Sequence, residues 1–342
     1  MRNSVTLRTV ARALGVSATT VSLALRNSRE LPAATRQRIR RTADSMGYRQ
    51  DPKVRAWLAS RRNPAAEKGE VLTYLNPYPT EELWRASASI TRFYDGAKAR
   101  AIQLGFQWDE LWFRRLGLTQ KRLESILKAR GIRGLIVGSF PEAQAALNLD
   151  WPHYVAIAQG LTLIRPDLPR ACNNYYDTML VLLRQLVKLG YRRPGLYIAN
   201  NSNERCRNIW QAAYLVFHST NRSMKPVPSC IPETSDLLAF EKWYRRNRPD
   251  VILACDVYVR TWLKEMGLAT PGDVGFASFD CHPTAKWRGA SGMDHRIEVC
   301  GAAAVDFIAG RLSRNESGLA PIPETIMTPA VWKEGETLRK AS

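Results

Sequence analysis

Along the first fifty residues the apolar positions fall at helical spacing. Leu7, Val10, Ala11 and Leu14 stand at i, i+3, i+4 and i+7, which is one face of a helix. Thr6 sits where an N-cap belongs, and Gly15 follows as a stop. After Val16, Ser17 caps a second helix from about Ala18 to Leu25, with Asn27 just past its end. Val21, Ala24 and Leu25 turn inward; Thr19, Ser22, Leu23 and Arg26 turn outward, with Thr20 beside them. A third helix is predicted from about Ala33 to Met46, with Ile39, Ala43 and Met46 inward, Gly47 as its C′ residue, and Arg36, Arg38, Arg40 and Arg41 on its outer face. Two short helices joined through Gly-Val-Ser predict a helix-turn-helix.

The pattern changes after residue 50. Asp51-Pro52 reads as a cap followed by proline at N1, opening a helix of about two turns through Ala59. A helix that short is marginal alone in water. Asn63 to Gly69 reads as a linker. From residue 70 onward, short apolar runs alternate with amphipathic stretches. Strands are predicted at Val71–Leu75, Gly134–Gly138, Tyr154–Ala158, Gly195–Ala199, Val251–Cys255 and Val274–Phe279. Helices are predicted at about 87–104, 119–129, 175–189, 205–217, 235–247, 257–266 and 297–313. This alternation predicts an α/β core of parallel sheets with helices on both faces, and about 270 residues suit two lobes.

Charge sharpens the division. The 342-residue chain carries a formal +19, and residues 1–62 hold 14 Lys/Arg against 3 Asp/Glu, so +11 of that total lies in the small helical part. A basic module on a milder body suits a polyanion partner; a solubilising surface or basic tail is the plainer explanation of the charge alone. Six cysteines stand far apart with no CxxC spacing, which suits free thiols in a reducing cytosol and gives a zinc site no support. No apolar run is long enough to span a membrane, and the first residues lack the apolar stretch of a signal peptide, so a cytoplasmic protein without membrane partners is expected.

The second helix then acquires a chemical meaning. A helix read against DNA lies in a major groove about 12 Å wide. Small hydroxyl side chains allow close approach, bond base edges or phosphates, and with leucine touch thymine methyls. The surrounding arginines supply phosphate contacts that position without reading sequence. The competing reading is a three-helix bundle used for protein contact.

The run VTLRTVARALGVSATTVSLALRN, with Thr35-Arg36 and Gly47-Tyr48 downstream, resembles the N-terminal domain of the LacI/GalR family of bacterial transcription regulators. More loosely, Phe93 to Ala97, Gly131 to Ile136, Leu189 to Arg193, Pro249 to Ile252, Asp273 to Asp280 and Gly301 to Val305 resemble that family's periplasmic-binding-protein-like core. The resemblance implies a helix-turn-helix domain at 1–50, a hinge helix at 51–61, a linker at 62–70 and an effector-binding, dimerising core at 71–342. Within the core, the N-lobe would take about 71–170 and 295–322, and the C-lobe about 171–294 and 323–342. The chain would cross between lobes near Ala171, Asp294 and Pro323.

For function, the resemblance implies a homodimeric regulator of double-stranded operator DNA, most simply a repressor, with a small carbohydrate effector and no cofactor. Ala18, Thr19 and Leu23 align with operator-choosing positions; leucine at 23 departs from the family's usual Arg or His. The other candidate DNA contacts are Thr6, Ser17, Thr20, Ser22, Arg26, Asn27, Arg29, Thr35 and Arg55. In the hinge, Trp57 aligns with the apolar wedge that family members push into the minor groove, and the adjacent Leu58 is the alternative.

In sugar-binding relatives an Asp after the last C-lobe strand, an Asn-Asp pair and an Arg hold hydroxyls, while an aromatic ring stacks on the ligand. Asp280 matches the first; Cys255-Asp256 keeps only the Asp of the pair. The Arg position falls on Cys206, flanked by Arg205. Asn76 and Ser139 end strands where pocket residues stand, and Trp84 is the candidate stacking ring. These departures from the sugar pattern point to an unusual carbohydrate or a degenerate pocket.

Two other functions fit the same residues less well. A transport-type sugar-binding protein fits the core but leaves the basic helical domain unexplained. An enzyme lacks support: His153, His218, His282 and His295 are scattered, and no GxSxG, GxGxxG or GxxxxGK[ST] motif stands at a strand end.

Overall fold

The computed structural model describes residues 5–25, 28, 30–46, 48, 70–115 and 118–340. The predicted hinge helix and linker, with Arg55, Trp57 and Leu58, lie outside the described residues, as do Arg26, Asn27 and Arg29.

The N-terminal part is three helices: α1 (Leu7–Leu14), α2 (Ala18–Leu25) and α3 (Ala33–Ser45). Their small core is Val10, Ala11, Val21, Ala24, Ile39 and Ala43, with Leu7, Leu14, Leu25 and Met46 packed around it. The inward positions are therefore those the helical spacing selects.

The core from residue 70 has two sheets. In the N-lobe a six-stranded sheet runs β12-β7-β5-β3-β1-β2, formed by β1 (Val71–Asn76), β2 (Gln107–Trp112), β3 (Gly134–Val137), β5 (Val155–Gln159), β7 (Arg170–Asn173) and β12 (Thr325–Thr328). All its neighbours pair in parallel. The C-lobe has five strands in the order β13-β11-β10-β9-β8: β8 (Pro194–Leu196), β9 (Val251–Ala254), β10 (Gly275–Ser278), β11 (Ser291–Asp294) and β13 (Val331–Lys333). Only β13 runs antiparallel to its neighbour. A two-residue β4 (Ala145–Ala146) pairs with β6 (Leu163–Arg165) beside the larger sheet.

The helices lie where parallel crossovers require them. In the N-lobe, α4 (Ala88–Gln103) and α11 (Ile297–Ser313) bury Phe93, Ala97, Cys300, Ala304 and Ile308 against Leu72, Ile136 and Ile157, while α5 (Gln120–Ala129) brings Leu123 and Leu127 to Leu135 and Val137. In the C-lobe, α6 (Tyr175–Lys188) and α8 (Ile209–Thr220) bury Leu182, Leu186, Trp210 and Tyr214 against Leu196, Leu253 and Ala277. There α9 (Leu237–Asn247) and α10 (Tyr258–Glu265) complete a second core around Phe240, Ile252 and Phe276. A short α7 (Asn200–Arg205) precedes α8.

Two expectations need correcting. The single helix expected at 205–217 is broken: Arg207 and Asn208 adopt left-handed conformations with φ of 54° and 57°, and α8 restarts at Ile209. The third crossing falls at Pro329–Ala330 instead of Pro323, because Thr325–Thr328 pair with β7 in the N-lobe sheet before the chain reaches β13. The first crossing falls between Asn173 and Tyr175, and the second between Asp294 and Ile297.

Candidate nucleic-acid interface and interlobe cleft

The helix-turn-helix is fastened by its own hydroxyls. Thr6 Oγ1 accepts from Thr9 N at 3.3 Å while Thr9 Oγ1 accepts from Thr6 N at 2.7 Å, a reciprocal capping box at the start of α1. Gly15, with φ 65°, turns the chain out of that helix. Ser17 Oγ accepts from Thr20 N at 3.0 Å and lies 2.8 Å from Thr20 Oγ1, so two of the candidate base or phosphate contacts also cap α2. Ala18 and Thr19 are exposed, and Thr20, Ser22 and Leu23 are half-buried.

Arg36 and Arg40 have another role than the outer-face one expected of them. Arg36 Nη1 donates to Leu31 O at 2.5 Å and to Ser28 O at 3.1 Å, and Arg40 Nε donates to Ala24 O at 3.3 Å. These two arginines bind carbonyls at the end of α2 and in the loop after it. Arg38 and Arg41 remain exposed on α3, and Thr35 is half-buried. Arg8 and Arg12, which the sequence reading did not single out, are exposed on α1.

In the core, residues just beyond the strand ends meet between the lobes. At one corner Asp280, after β10, accepts from Ser89 Oγ of α4 at 3.1 Å. His282 Nε2 lies 3.3 Å from the other Asp280 oxygen and 3.0 Å from Ser89 Oγ, and His295 Nε2 lies 3.8 Å from the same carboxylate while bonding Phe279 O at 2.9 Å. Beside them Arg92 of α4 pairs with Asp294 at 2.9 Å and Glu298 at 2.6 Å, its Nη1 3.3 Å from His282 Nδ1. Burial alone would raise the Asp280 pKa; the two histidines and Ser89 reverse this and hold the carboxyl well below the usual range. Burial opposes protonation of His282, yet Asp280 outweighs it and lifts the imidazole above its ordinary value. His295, more deeply enclosed, is pushed down by burial.

At a second corner Arg205, at the end of α7, reaches Ser139 Oγ at 3.3 Å and Tyr78 Oη at 3.4 Å on the N-lobe. Behind them Gln159 Oε1 accepts from Tyr74 Oη at 2.8 Å and Ser139 N at 3.4 Å. Asn201 Nδ2 also approaches Pro141 O across the gap at 3.5 Å. A cluster of rings, Tyr175, Trp210, Phe279 and His295, lies between the corners, with Tyr175 and Trp210 centroids 5.0 Å apart and Trp210 and His295 5.6 Å apart.

The structure thus brings Ser139 and Arg205 together and gives Asp280 its own corner. Asp256 is held on the C-lobe by Ser235 Oγ and Tyr258 N. Two expected pocket residues are placed otherwise. Asn76 is fully buried, donating to Glu81 O and Glu110 Oε1 and accepting from Tyr78 N, so it shapes the turn after β1. Trp84 is only 1% exposed, packed against Tyr74 and Tyr94 with its Nε1 on Glu110, and is a core ring of the N-lobe in place of the expected stacking platform. The sequence reading missed Tyr78, Ser89, Arg92 and His282 as cleft residues: Tyr78 and His282 stand shortly after β1 and β10 and could have been found by position, whereas Ser89 and Arg92 lie on α4 and are brought there by packing. Among the described residues no group of three or more His, Cys, Asp or Glu is arranged to hold a metal ion, and no helix is long and apolar enough to cross a membrane.

The described chain is thus a helix-turn-helix domain and a core of two sheet lobes linked by three crossings. Residues 6–51 match the family model of bacterial regulatory proteins, lacI family. No curated protein matches the sequence. Among solved structures, the fold is similar to the lac repressor dimer bound to operator and the anti-inducer ONPF, at 18% identity and a TM-score of 0.57, covering 98% of this chain and 99% of that one. It is similar also to the complex of the transcriptional regulator CelR with cellobiose (16%, TM-score 0.58, 97% and 99% covered). A third is a periplasmic binding protein/LacI transcriptional regulator from Alkaliphilus metalliredigens QYMF complexed with D-xylulofuranose (12%, TM-score 0.59, 80% and 100% covered). The family match is thus confined to the N-terminal domain, and the likeness to solved structures extends the same fold over the core.

Proposed function

We propose that this protein is a cytoplasmic, sequence-specific repressor that binds a pseudo-palindromic operator as a homodimer and is controlled by a small effector, a carbohydrate or a derivative of one. The observation that carries the reading is α2: a helix fixed by the Ser17–Thr20 cap and by Arg40, presenting Ala18 and Thr19 to solvent in a domain whose surroundings are strongly basic. Small side chains at the start of a helix suit close approach to base edges, and Leu23 suits a thymine methyl. Arg38 and Arg41 suit phosphate contact. The sugars named in two of the similar structures, cellobiose and D-xylulofuranose, support a carbohydrate-like effector between the lobes.

Control follows from the cleft. The lobes touch through Ser89 to Asp280, Arg92 to Asp294 and Arg205 to Ser139. An effector that binds better to one lobe arrangement than another shifts that equilibrium, and DNA affinity changes by the same coupling free energy. We assign no catalytic step to the cleft.

The test is selection of duplexes from a random library by the full-length protein and by its Leu23→Arg variant. Two enriched half-sites, shifted by the substitution at the bases α2 reads, support the reading. No enrichment by the full-length protein, or binding without a steep salt dependence, refutes it.

A further inference from the structure

The two corners of the cleft are electrostatically unequal. Asp280 has cationic or donor neighbours within the chain: its Oδ2 accepts from Ser89, and its Oδ1, which accepts no hydrogen bond, has the His282 and His295 imidazoles at 3.3 and 3.8 Å, the first of which Asp280 keeps readily protonated. Arg205 has no such counterpart. Its Nη2 rests on two neutral hydroxyls at 3.3 and 3.4 Å, long for a guanidinium, and its Nε is buried with no partner. Among the described residues no carboxylate pairs with it. Glu142, the acid whose ionisation it assists, is held by both Arg114 nitrogens at 2.6 and 3.0 Å, and Glu204 lies against Asn200. Tyr78 stays a neutral phenol because burial raises its pKa above the ordinary value. The corner therefore offers a cation and two hydroxyl donors, with no negative charge paired to them.

We propose that the effector is an anion, and that its carboxylate or phosphate seats on the Nε–Nη2 edge of Arg205 between Tyr78 and Ser139. An unpaired buried N–H costs free energy, and a two-oxygen group satisfies it through the parallel pair of hydrogen bonds that guanidinium favours. A neutral polyol does this less well. Its hydroxyls carry no charge to set against the guanidinium and present no paired oxygens to the fork. The inference rests on the cleft being the effector site and adds the charge of the ligand.

Glucose, glucuronate and glucose 6-phosphate are titrated into the full-length protein, wild type and Arg205→Gln, by calorimetry at constant ionic strength. Arg205→Lys keeps the charge and loses the fork, and circular dichroism of each variant reports folding. Glucuronate or glucose 6-phosphate should bind wild type more tightly than glucose, and the advantage should fall about 10–100-fold in Arg205→Gln, with Arg205→Lys between. Whichever anion binds more tightly identifies a carboxylate or phosphate source. Anion binding unchanged in the folded Gln variant overturns the proposal, because the seat is then elsewhere, for example on the basic N-terminal domain. Equal binding of glucose and both anions overturns the anionic class while leaving the cleft as the effector site. Absence of any binding to wild type overturns the proposal as well, and operator selection then judges the regulator reading separately.

Discussion

Gly301 is the position where a single methyl group should do the most damage. It lies on α11 where that helix crosses α4, and a Cβ there would stand 2.1 Å from Phe93 O and 2.9 Å from Ala97 N. Gly96 makes the reciprocal contact, its Cβ falling 2.1 Å from Glu298 O. Ordinary contact begins about 1.3 Å farther out, and the atoms in the way are backbone, so no rotamer relieves them. The helices must separate. Overpacking of this kind costs about 1–3 kcal/mol, and rigid backbone neighbours put this case near the upper figure. Alanine returns up to about 1 kcal/mol of helix propensity, leaving a loss of about 2 kcal/mol.

At roughly 2–4 °C per kcal/mol for a unit of this size, Gly301→Ala should lower Tm by about 4–8 °C. Gly310 is the control on the same helix: a Cβ there meets only the flexible end of Arg314 at 3.4 Å, so Gly310→Ala should hold Tm or raise it. The displacement also has a functional direction. Ser89 and Arg92 stand near the start of α4, and Glu298 near the start of α11. Moving α4 by about an ångström takes Ser89 Oγ, now 3.1 Å from Asp280, beyond hydrogen-bond reach. Thermal melts of both variants decide the matter. If Gly301→Ala melts with or above Gly310→Ala, the close helix crossing is not what holds the N-lobe together.

Three further outcomes are expected. Because the His282 pKa is raised in the fold, its contribution is complete below its ordinary value near 6.5 and is lost as pH rises through the folded value; His282→Gln should therefore destabilise the protein at about pH 5.5 more than at about pH 9, measured by urea unfolding, and an equal loss at both refutes the Asp280–His282 pairing. Arg92→Leu leaves Asp294, with 17% of its side chain exposed, and Glu298 without their shared cation; a loss of about 3 kcal/mol should appear in denaturant midpoints, and a loss within error makes this pair of bridges ornamental. Arg36→Ala should cost about 2 kcal/mol in the N-terminal domain by releasing Ser28 O and Leu31 O, read as faster proteolysis there, with the salt slope of DNA binding unchanged; a slope lower by about one charge would place Arg36 on phosphate instead.

The helical domain was legible because its information is local. Val10, Ala11, Val21, Ala24, Ile39 and Ala43 are selected by spacing alone and all are buried. The strands at Val71, Gly134, Val155, Val251 and Gly275 were legible for a related reason: covered on both faces, they read as apolar runs. The missed strands break that pattern. β2 is an edge strand, half-exposed and polar in Gln107, Asp109 and Glu110. β7 begins with Arg170, a buried arginine accommodated by Asp167 at 2.6 Å and Leu163 O. β12 follows a helix and a long loop, and its place beside β7 is set by tertiary pairing alone. The break before α8 depends on two left-handed residues that are not glycine, Asn208, whose type favours that conformation, and Arg207, whose type does not.

Asp280 shows where reading by position stops and reading by neighbourhood must begin. A carboxylate at the end of a parallel strand is less open to a ligand the more of its acceptor sites the chain itself occupies. The neighbours here are Ser89, 191 positions earlier, and His282 and His295 on the following loops. Ser89 reaches Asp280 because α4 packs closely on α11, and that approach depends on Gly96 and Gly301. The same helix carries Arg92 to Asp294 at the crossing between lobes. One close helix contact in the N-lobe therefore supplies the Asp280 carboxylate with its interlobe donor, and Arg205, on the opposite lobe, lies outside this network. If the cleft is the effector site proposed above, its acidic corner is set in part by how these two N-lobe helices pack.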